Sequence, residues 1–253
     1  MNKKGFIVIW DWRFFVVVGI LAGLYFGYTY LVDNGMVTDF FGEDLVTHKI
    51  NPQTEVLNYG SGKINFVVYG GLNNYFSSLD RSISYYEGEA PPSSRDFILK
   101  EMNNDLQYQS LLPLVWEIRS KAKNPKDEAN IAIRLVQNIP YDYQALYSAY
   151  LVGRYPYEVL YDNKGVCGEK SQLLAFLLKE LGYGVVIFEY NSENHMAVGI
   201  LCDKGNYNTN YCFVETTEPT QVGFIPQGYV GGADIRNAHP NIIQISKGRK
   251  YGE

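Results

Sequence analysis

Residues 165–184 read GVCGEKSQLLAFLLKELGYG and form the centre of the predicted fold. The apolar stretch Gln172–Leu181 predicts a helix, and Gly182 fits the position just past its C-terminus. Cys167 stands where the preceding loop becomes this helix. Unpaired N–H groups and the positive end of the helix dipole favour the thiolate there. Cys167 is therefore a candidate nucleophile, although a single cysteine more often packs as a small buried hydrophobe.

Short strands are predicted after this helix. They are rich in β-branched and aromatic residues, at Val185–Tyr190, Met196–Cys202 and Tyr211–Glu215. Residues 203–210, DKGNYNTN, form a strong turn signal between the last two strands, and Ile242–Ile245 predicts a further strand. Helices followed by a run of antiparallel strands, rather than alternating strands and helices, predict an α+β fold.

One histidine and one acid stand at the ends of these strands. His195 directly precedes the strand that begins MAVGI, and Glu215 ends the next strand. Each alone has an ordinary structural explanation. If the two strands pair as a hairpin, however, His195 and Glu215 lie on neighbouring strands and the helix can point Cys167 at the imidazole. That arrangement supplies a nucleophile, a base and an orienting acid, with Glu218 as the alternative acid.

Taken together, these motifs make residues 125–220 resemble a transglutaminase-like domain of the papain-like cysteine enzyme group. The matching pieces are the cysteine turn that heads a helix ending in Leu-Gly, the strand NHMAVGI at 194–200 and the segment FVETTEPT at 213–220. Residues 139–143, IPYDY, resemble the short segment that precedes the cysteine helix in this family. The family acid is normally Asp, and Glu215 stands in its place here.

The resemblance implies a helix headed by cysteine packed on an antiparallel sheet. It implies catalysis by Cys167, His195 and Glu215, with acyl transfer on amide bonds as a peptidase, deamidase or transamidase. A protein or peptide is then the expected substrate, and no cofactor is expected. The alternative is a non-catalytic transglutaminase-like binding or scaffold module at the cell surface. A function located in residues 33–120, which have no match, is a further possibility.

The N-terminal part of the chain contains an uncharged run, FFVVVGILAGLYFGYTYLV at residues 14–32. As a helix it would span about 28 Å, close to the hydrocarbon thickness of a bilayer. Bulky residues such as Tyr28, Tyr30 and Leu31 occupy the end where a signal peptide would carry small residues before its cleavage site. The run therefore predicts an uncleaved single-pass anchor in contact with membrane lipid.

Basic residues near this run predict its orientation. Lys3, Lys4 and Arg13 precede it, whereas the next basic residue after it is Lys49. The positive-inside rule places residues 1–13 in the cytoplasm and the main domain outside it.

Three further segments complete the predicted organisation. Residues 33–62 are expected to be a stalk or irregular lead-in, residues 63–123 an unmatched part of the outer domain, and residues 124–247 the transglutaminase-like core. Within the unmatched part, Ile64–Leu72 predicts a strand, and a helical region from Ser93 to about Lys123 is expected to be interrupted near Pro113.

Composition excludes several other classes of protein. The formal net charge is −5 and the pI is near 5.3, which argues against nucleic-acid binding. The chain has three cysteines and no C-x-x-C pair, so neither a disulfide scaffold nor a zinc ribbon is indicated, and no metal is predicted. Cys202 and Cys212 flank the predicted turn and form either a disulfide or two independent thiols.

Overall fold

The structure is a computed structural model that describes residues 43–146, 153–228 and 234–253. Residues Thr47–Glu253 form one compact unit. The predicted cytoplasmic segment 1–13 and the predicted anchor 14–32 lie outside the described residues. Across the described ranges, no helix is both long and apolar enough to cross a bilayer.

The described part begins with a short helix and a hairpin. Helix α1 (Glu43–His48) is followed by strands β1 (Pro52–Asn58) and β2 (Lys63–Tyr69), which pair in antiparallel register from Pro52↔Tyr69 to Asn58↔Lys63. Residues 33–62 were expected to be irregular, and this expectation is corrected for residues 52–58. Strand β1 reads PQTEVLN and keeps most of its side chains exposed, so it lacks the apolar alternation that marks a half-buried strand.

Helices make up the next part of the chain. They are α2 (Gly70–Ser78), α3 (Ser94–Met102), α4 (Asp105–Lys121), α5 (Pro125–Gln137), α6 (Tyr143–Leu146), α7 (Pro156–Asp162) and α8 (Cys167–Glu180). The strand predicted for Ile64–Leu72 ends at Tyr69, because Gly70 and Gly71 already open α2. A side chain at Gly71 would lie 2.4 Å from the backbone oxygen of His48, so the close approach of these segments requires glycine.

Pro113 does not interrupt its helix, contrary to the sequence prediction. The break lies instead at residues 103–104, where the Asn104 side chain accepts a hydrogen bond from the backbone N–H of Gln107 and begins α4. Helix α4 continues through Pro113 with an apolar face that includes Leu111, Leu114, Val115 and Ile118, all without exposed surface. Burial of this face outweighs the one backbone hydrogen bond that proline cannot donate.

A four-stranded antiparallel sheet follows the helices. It consists of β3 (Val185–Tyr190), β4 (His195–Leu201), β5 (Tyr211–Val214) and β6 (Asn241–Ser246), in the order β5-β4-β3-β6. The strands predicted after the cysteine helix are therefore present, each within about two residues of its predicted ends. The architecture is α+β with antiparallel sheets, as predicted.

Helix α8 packs against β4 and β3 on one side and against α5 and α7 on the other. Its apolar residues have no exposed surface, and they are Leu173, Leu174, Ala175, Phe176, Leu177 and Leu178. Gly182 follows the helix with φ +92°, a left-handed conformation that suits glycine at a helix end. The helix headed by Cys167 is thus fixed between the sheet and the other helices.

The two cysteines beside the hairpin turn are joined. Cys202 and Cys212 form a disulfide with a Cα–Cα distance of 5.8 Å. The alternative of two independent thiols is therefore wrong. Cys167 is the one remaining free cysteine of the three in the chain.

Candidate active site

Cys167 is the first residue of α8, and its loop is fixed on both sides. The carboxylate of Glu169 accepts a hydrogen bond from the backbone N–H of Val166 at 2.9 Å, which caps the first turn. Before the turn, Gly165 donates to the carbonyl of Pro140 and accepts from the N–H of Asp142. The segment 139–143 that the sequence singled out therefore lies beside the cysteine loop.

A buried ion-pair network holds the same loop in place. Arg154 pairs with Asp142 at 2.7 Å and with Glu169 at 3.2 Å, and its backbone N–H also donates to Glu169. Burial raises the pKa of Glu169, against the opposing effects of the Val166 N–H and Arg154. Sequence reasoning missed this network; the acidic residue at the third helical position was its only local signal.

His195 and Glu215 come together as the hairpin predicted. His195 opens β4 and Glu215 directly follows β5, and these two strands pair in the sheet. The His195 Nε2 and Glu215 Oε2 atoms are 3.0 Å apart, and neither side chain has exposed surface. The other carboxylate oxygen, Oε1, accepts hydrogen bonds from the N–H groups of Thr216 and Thr217 and from the Thr217 hydroxyl.

The surroundings of His195 and Glu215 favour the charged form of both. Burial acts to lower the pKa of His195, but its hydrogen bonds to Cys167 and Glu215 and the charge of Glu215 outweigh burial and raise the pKa to about 9. Burial acts to raise the pKa of Glu215, but its bond to His195 and the Thr217 donors outweigh it and lower the pKa. The pair is therefore an imidazolium and a carboxylate near neutral pH.

Cys167 lies beside the same imidazole. Cys167 is half-buried, and it lines a pocket of about 220 Å³ together with His195, Gly168, Tyr190 and Asn194. The interaction of its thiol with the imidazole contributes to the raised pKa of His195. The structure therefore brings Cys167, His195 and Glu215 together. The Glu218 carboxylate, which was the alternative acid, is not the one bonded to the imidazole.

Two further buried side chains lie near Glu215, and sequence reasoning missed both. Gln137 donates from Nε2 to the backbone oxygen of Glu215 at 2.9 Å and to that of Thr220 at 3.2 Å. Lys170 has no exposed surface, and its amine donates to the backbone oxygen of Ile139. No local pattern marks either residue, because their partners lie far away in the sequence. Among the described residues, no group of three or more His, Cys, Asp or Glu side chains is placed to hold a metal ion.

Comparison with known proteins shows remote similarity to solved structures. No protein-family model and no curated protein matches the sequence. One similar solved structure is Legionella pneumophila LapG, at 16% identity over 53% of this chain and 77% of that chain, with a TM-score of 0.32. Another is described as a TGase, at 17% identity over 74% of this chain and 48% of that chain, with a TM-score of 0.34. At this level of similarity, the geometry of the site carries the functional interpretation.

Proposed function

We propose that this protein is a membrane-anchored, transglutaminase-like thiol enzyme that transfers acyl groups from amide bonds of a protein or peptide substrate. One observation carries the proposal. The buried imidazole of His195 is hydrogen-bonded to the carboxylate of Glu215 at 3.0 Å, and the same imidazole interacts with the free thiol of Cys167. The nucleophile therefore contacts the general acid–base, and the general acid–base contacts the orienting acid.

The mechanism begins with the thiolate of Cys167 beside the imidazolium of His195. The sulfur attacks the amide carbonyl carbon and forms a tetrahedral intermediate. Backbone N–H groups in the first turn of α8, including that of Cys167, stabilise its oxyanion. The imidazolium then gives its proton to the departing amine nitrogen, the carbon–nitrogen bond breaks, and a thioester remains on Cys167.

The second half of the reaction removes the acyl group from Cys167 and regenerates the free enzyme. Water or an amine attacks the thioester carbonyl, and the neutral imidazole of His195 takes the proton of the attacking group. The carbon–sulfur bond breaks and restores the thiolate–imidazolium pair. Glu215 holds the imidazole in one orientation throughout and balances its charge, because both carboxylate oxygens are already bonded. Attack by water gives a peptidase or deamidase, and attack by an amine gives a transamidase.

The proposed location is the outer side of a membrane, with residues 14–32 as a single-pass anchor and residues 1–13 in the cytoplasm. The uncharged run and the basic residues before it support this topology. The Cys202–Cys212 disulfide also supports it, because disulfides persist in oxidising compartments outside the cytosol.

Cys167→Ala tests the proposal on a panel of peptides and glutamine donors, with release of amine or ammonia as the readout. We expect activity to be lost in Cys167→Ala and in His195→Ala. His239→Ala, which alters an exposed histidine, should leave activity unchanged. If Cys167→Ala stayed as active as the unaltered protein, the mechanism would be wrong.

Iodoacetamide labelling separates an enzyme from a non-catalytic binding module without knowledge of the substrate. At about pH 6, Cys167 should react rapidly because the imidazolium stabilises its thiolate. The disulfide protects the other two cysteines, so incorporation of a single label reports on Cys167. Labelling as slow as that of an ordinary thiol would support the binding module instead.

A further inference from the structure

Lys170 is a lysine without exposed surface, one helical turn after Cys167 on α8. Its Nζ donates to the backbone oxygen of Ile139 at 2.5 Å and lies 3.4 Å from that of Gln137. Gln137 ends α5, so these are carbonyl groups at the negative end of a helix. Burying a charged lysine amine costs free energy unless an opposite charge lies nearby.

The hydrogen bonds around Lys170 continue to the backbone of the candidate active site. Gln137 accepts from Lys170 through its backbone oxygen and donates through its side chain to the backbone of Glu215. The next residue along α8, Ser171, bonds the hydroxyl of Thr216, which follows Glu215. Gln137 thus contacts both the Lys170 amine and the backbone of Glu215, and Lys170 and Glu215 have no exposed surface. The amine and the Glu215 carboxylate do not touch, so the carboxylate acts on the amine through its charge across the buried interior.

The charge on Lys170 is positive at neutral pH. Burial lowers its pKa to about 8, whereas the negative charge of Glu215 acts in the opposite direction. Without Lys170, the thiolate of Cys167, the imidazolium of His195 and the carboxylate of Glu215 would together carry one excess negative charge. In a buried site this excess disfavours the thiolate. With the ammonium of Lys170 included, the four groups are neutral.

We propose that Lys170 is a positioning residue that balances the carboxylate of Glu215 from inside the protein and thereby allows Cys167 and His195 to exist as an ion pair. The inference deepens the proposed function and rests on it for its catalytic meaning. The charge balance between Lys170 and Glu215 can be tested without any substrate.

The test compares Lys170→Met, which keeps the length of the side chain and removes its charge, with Lys179→Met. Lys179 lies on the same helix and is partly exposed, so it controls for the substitution itself. At about pH 6 we expect Lys170→Met to slow iodoacetamide labelling of Cys167 by about tenfold and Lys179→Met to leave it unchanged. A folded Lys170→Met protein that labels as fast as the unaltered protein would refute the proposal.

A double-variant cycle covers the case in which Lys170→Met folds but is too unstable for its labelling rate to report on the folded protein. The cycle adds Glu215→Gln to the unaltered protein and to Lys170→Met, and it measures the urea unfolding free energy of all four proteins. If Glu215→Gln destabilises the Lys170→Met protein less than it destabilises the unaltered protein, the two charges are coupled and the proposal is supported. If the two changes in unfolding free energy are additive, Lys170 acts solely on the carbonyl groups and the proposal is refuted.

The same cycle separates this inference from the proposed function. Slow labelling of Cys167 in the unaltered protein would refute the enzyme proposal while leaving the unfolding cycle interpretable. Coupling between Lys170 and Glu215 would then still support the charge balance, and additive unfolding free energies would still refute it.

Discussion

Glu215→Gln changes the charge of the site while preserving most of its geometry. Gln keeps an oxygen at the position where Oε1 accepts from Thr216 and Thr217, so the turn after β5 retains its hydrogen bonds. What disappears is the negative charge 3.0 Å from the Nε2 atom of His195. The substitution therefore tests whether this carboxylate keeps the imidazole protonated.

The magnitude of the effect follows from the contacts of His195. Burial acts to lower its pKa, yet the pKa is about 9, because Cys167 and Glu215 together outweigh burial. An opposite charge at this distance shifts a pKa by about 1–3 units. Removal of the carboxylate charge should therefore lower the pKa of His195 by about two units, to near 7. Two units correspond to about 3 kcal/mol of preference for the protonated imidazole.

The assay is an NMR titration of the histidine ring protons, with His195 assigned from a His195→Gln sample. The other histidines of the chain, His48 and His239, serve as internal references in the same spectra. Glu218→Gln is the matched control, since Glu218 is the nearby acid that does not bond the imidazole. The reasoning would be refuted by an unchanged midpoint in Glu215→Gln, or by a shift of equal size in Glu218→Gln.

Packing, the disulfide and the charge on His195 give further tests. Gly199→Ala should lower the urea unfolding free energy by about 1–3 kcal/mol, because its methyl group would lie 2.7 Å from the ring of Phe188. Replacement of Cys202 and Cys212 by serine should lower it by roughly 2–3 kcal/mol, and an unchanged urea midpoint would contradict this. The raised pKa of His195 contributes stability that is full below about 6.5 and lost as the pH rises through about 9, so the stability difference from His195→Gln should shrink over that range.

Local signals were sufficient to predict the elements that carry the candidate site. Asn124 caps α5 with Pro125 in its first turn, and Gly182 follows α8, as their residue types predict. The hairpin that brings His195 to Glu215 followed from two apolar strands around a turn. These features depend on residues close together in the sequence, so a single sequence reveals them.

Other parts of the structure depend on contacts between distant residues and left no such signal. Strand β1 is recognisable through its pairing with β2, since its own residues are largely polar. Lys170 reads as an ordinary surface lysine on a helix, yet the carbonyl groups that accept its hydrogen bonds come from residues 137 and 139. Its burial is a property of how α5 and α8 pack, which the sequence pattern does not encode locally.

The unequal exposure of the three site residues imposes an order on the proposed reaction. His195 and Glu215 are closed to solvent, and Cys167 alone is partly open through the pocket. Because Cys167 and His195 line the same pocket, we expect a second substrate to reach the thioester through the space that the first one entered. If the leaving group and the attacking amine share this space, the first must depart before the second can enter, and the proposed reaction predicts ping-pong kinetics with a covalent intermediate between its two halves.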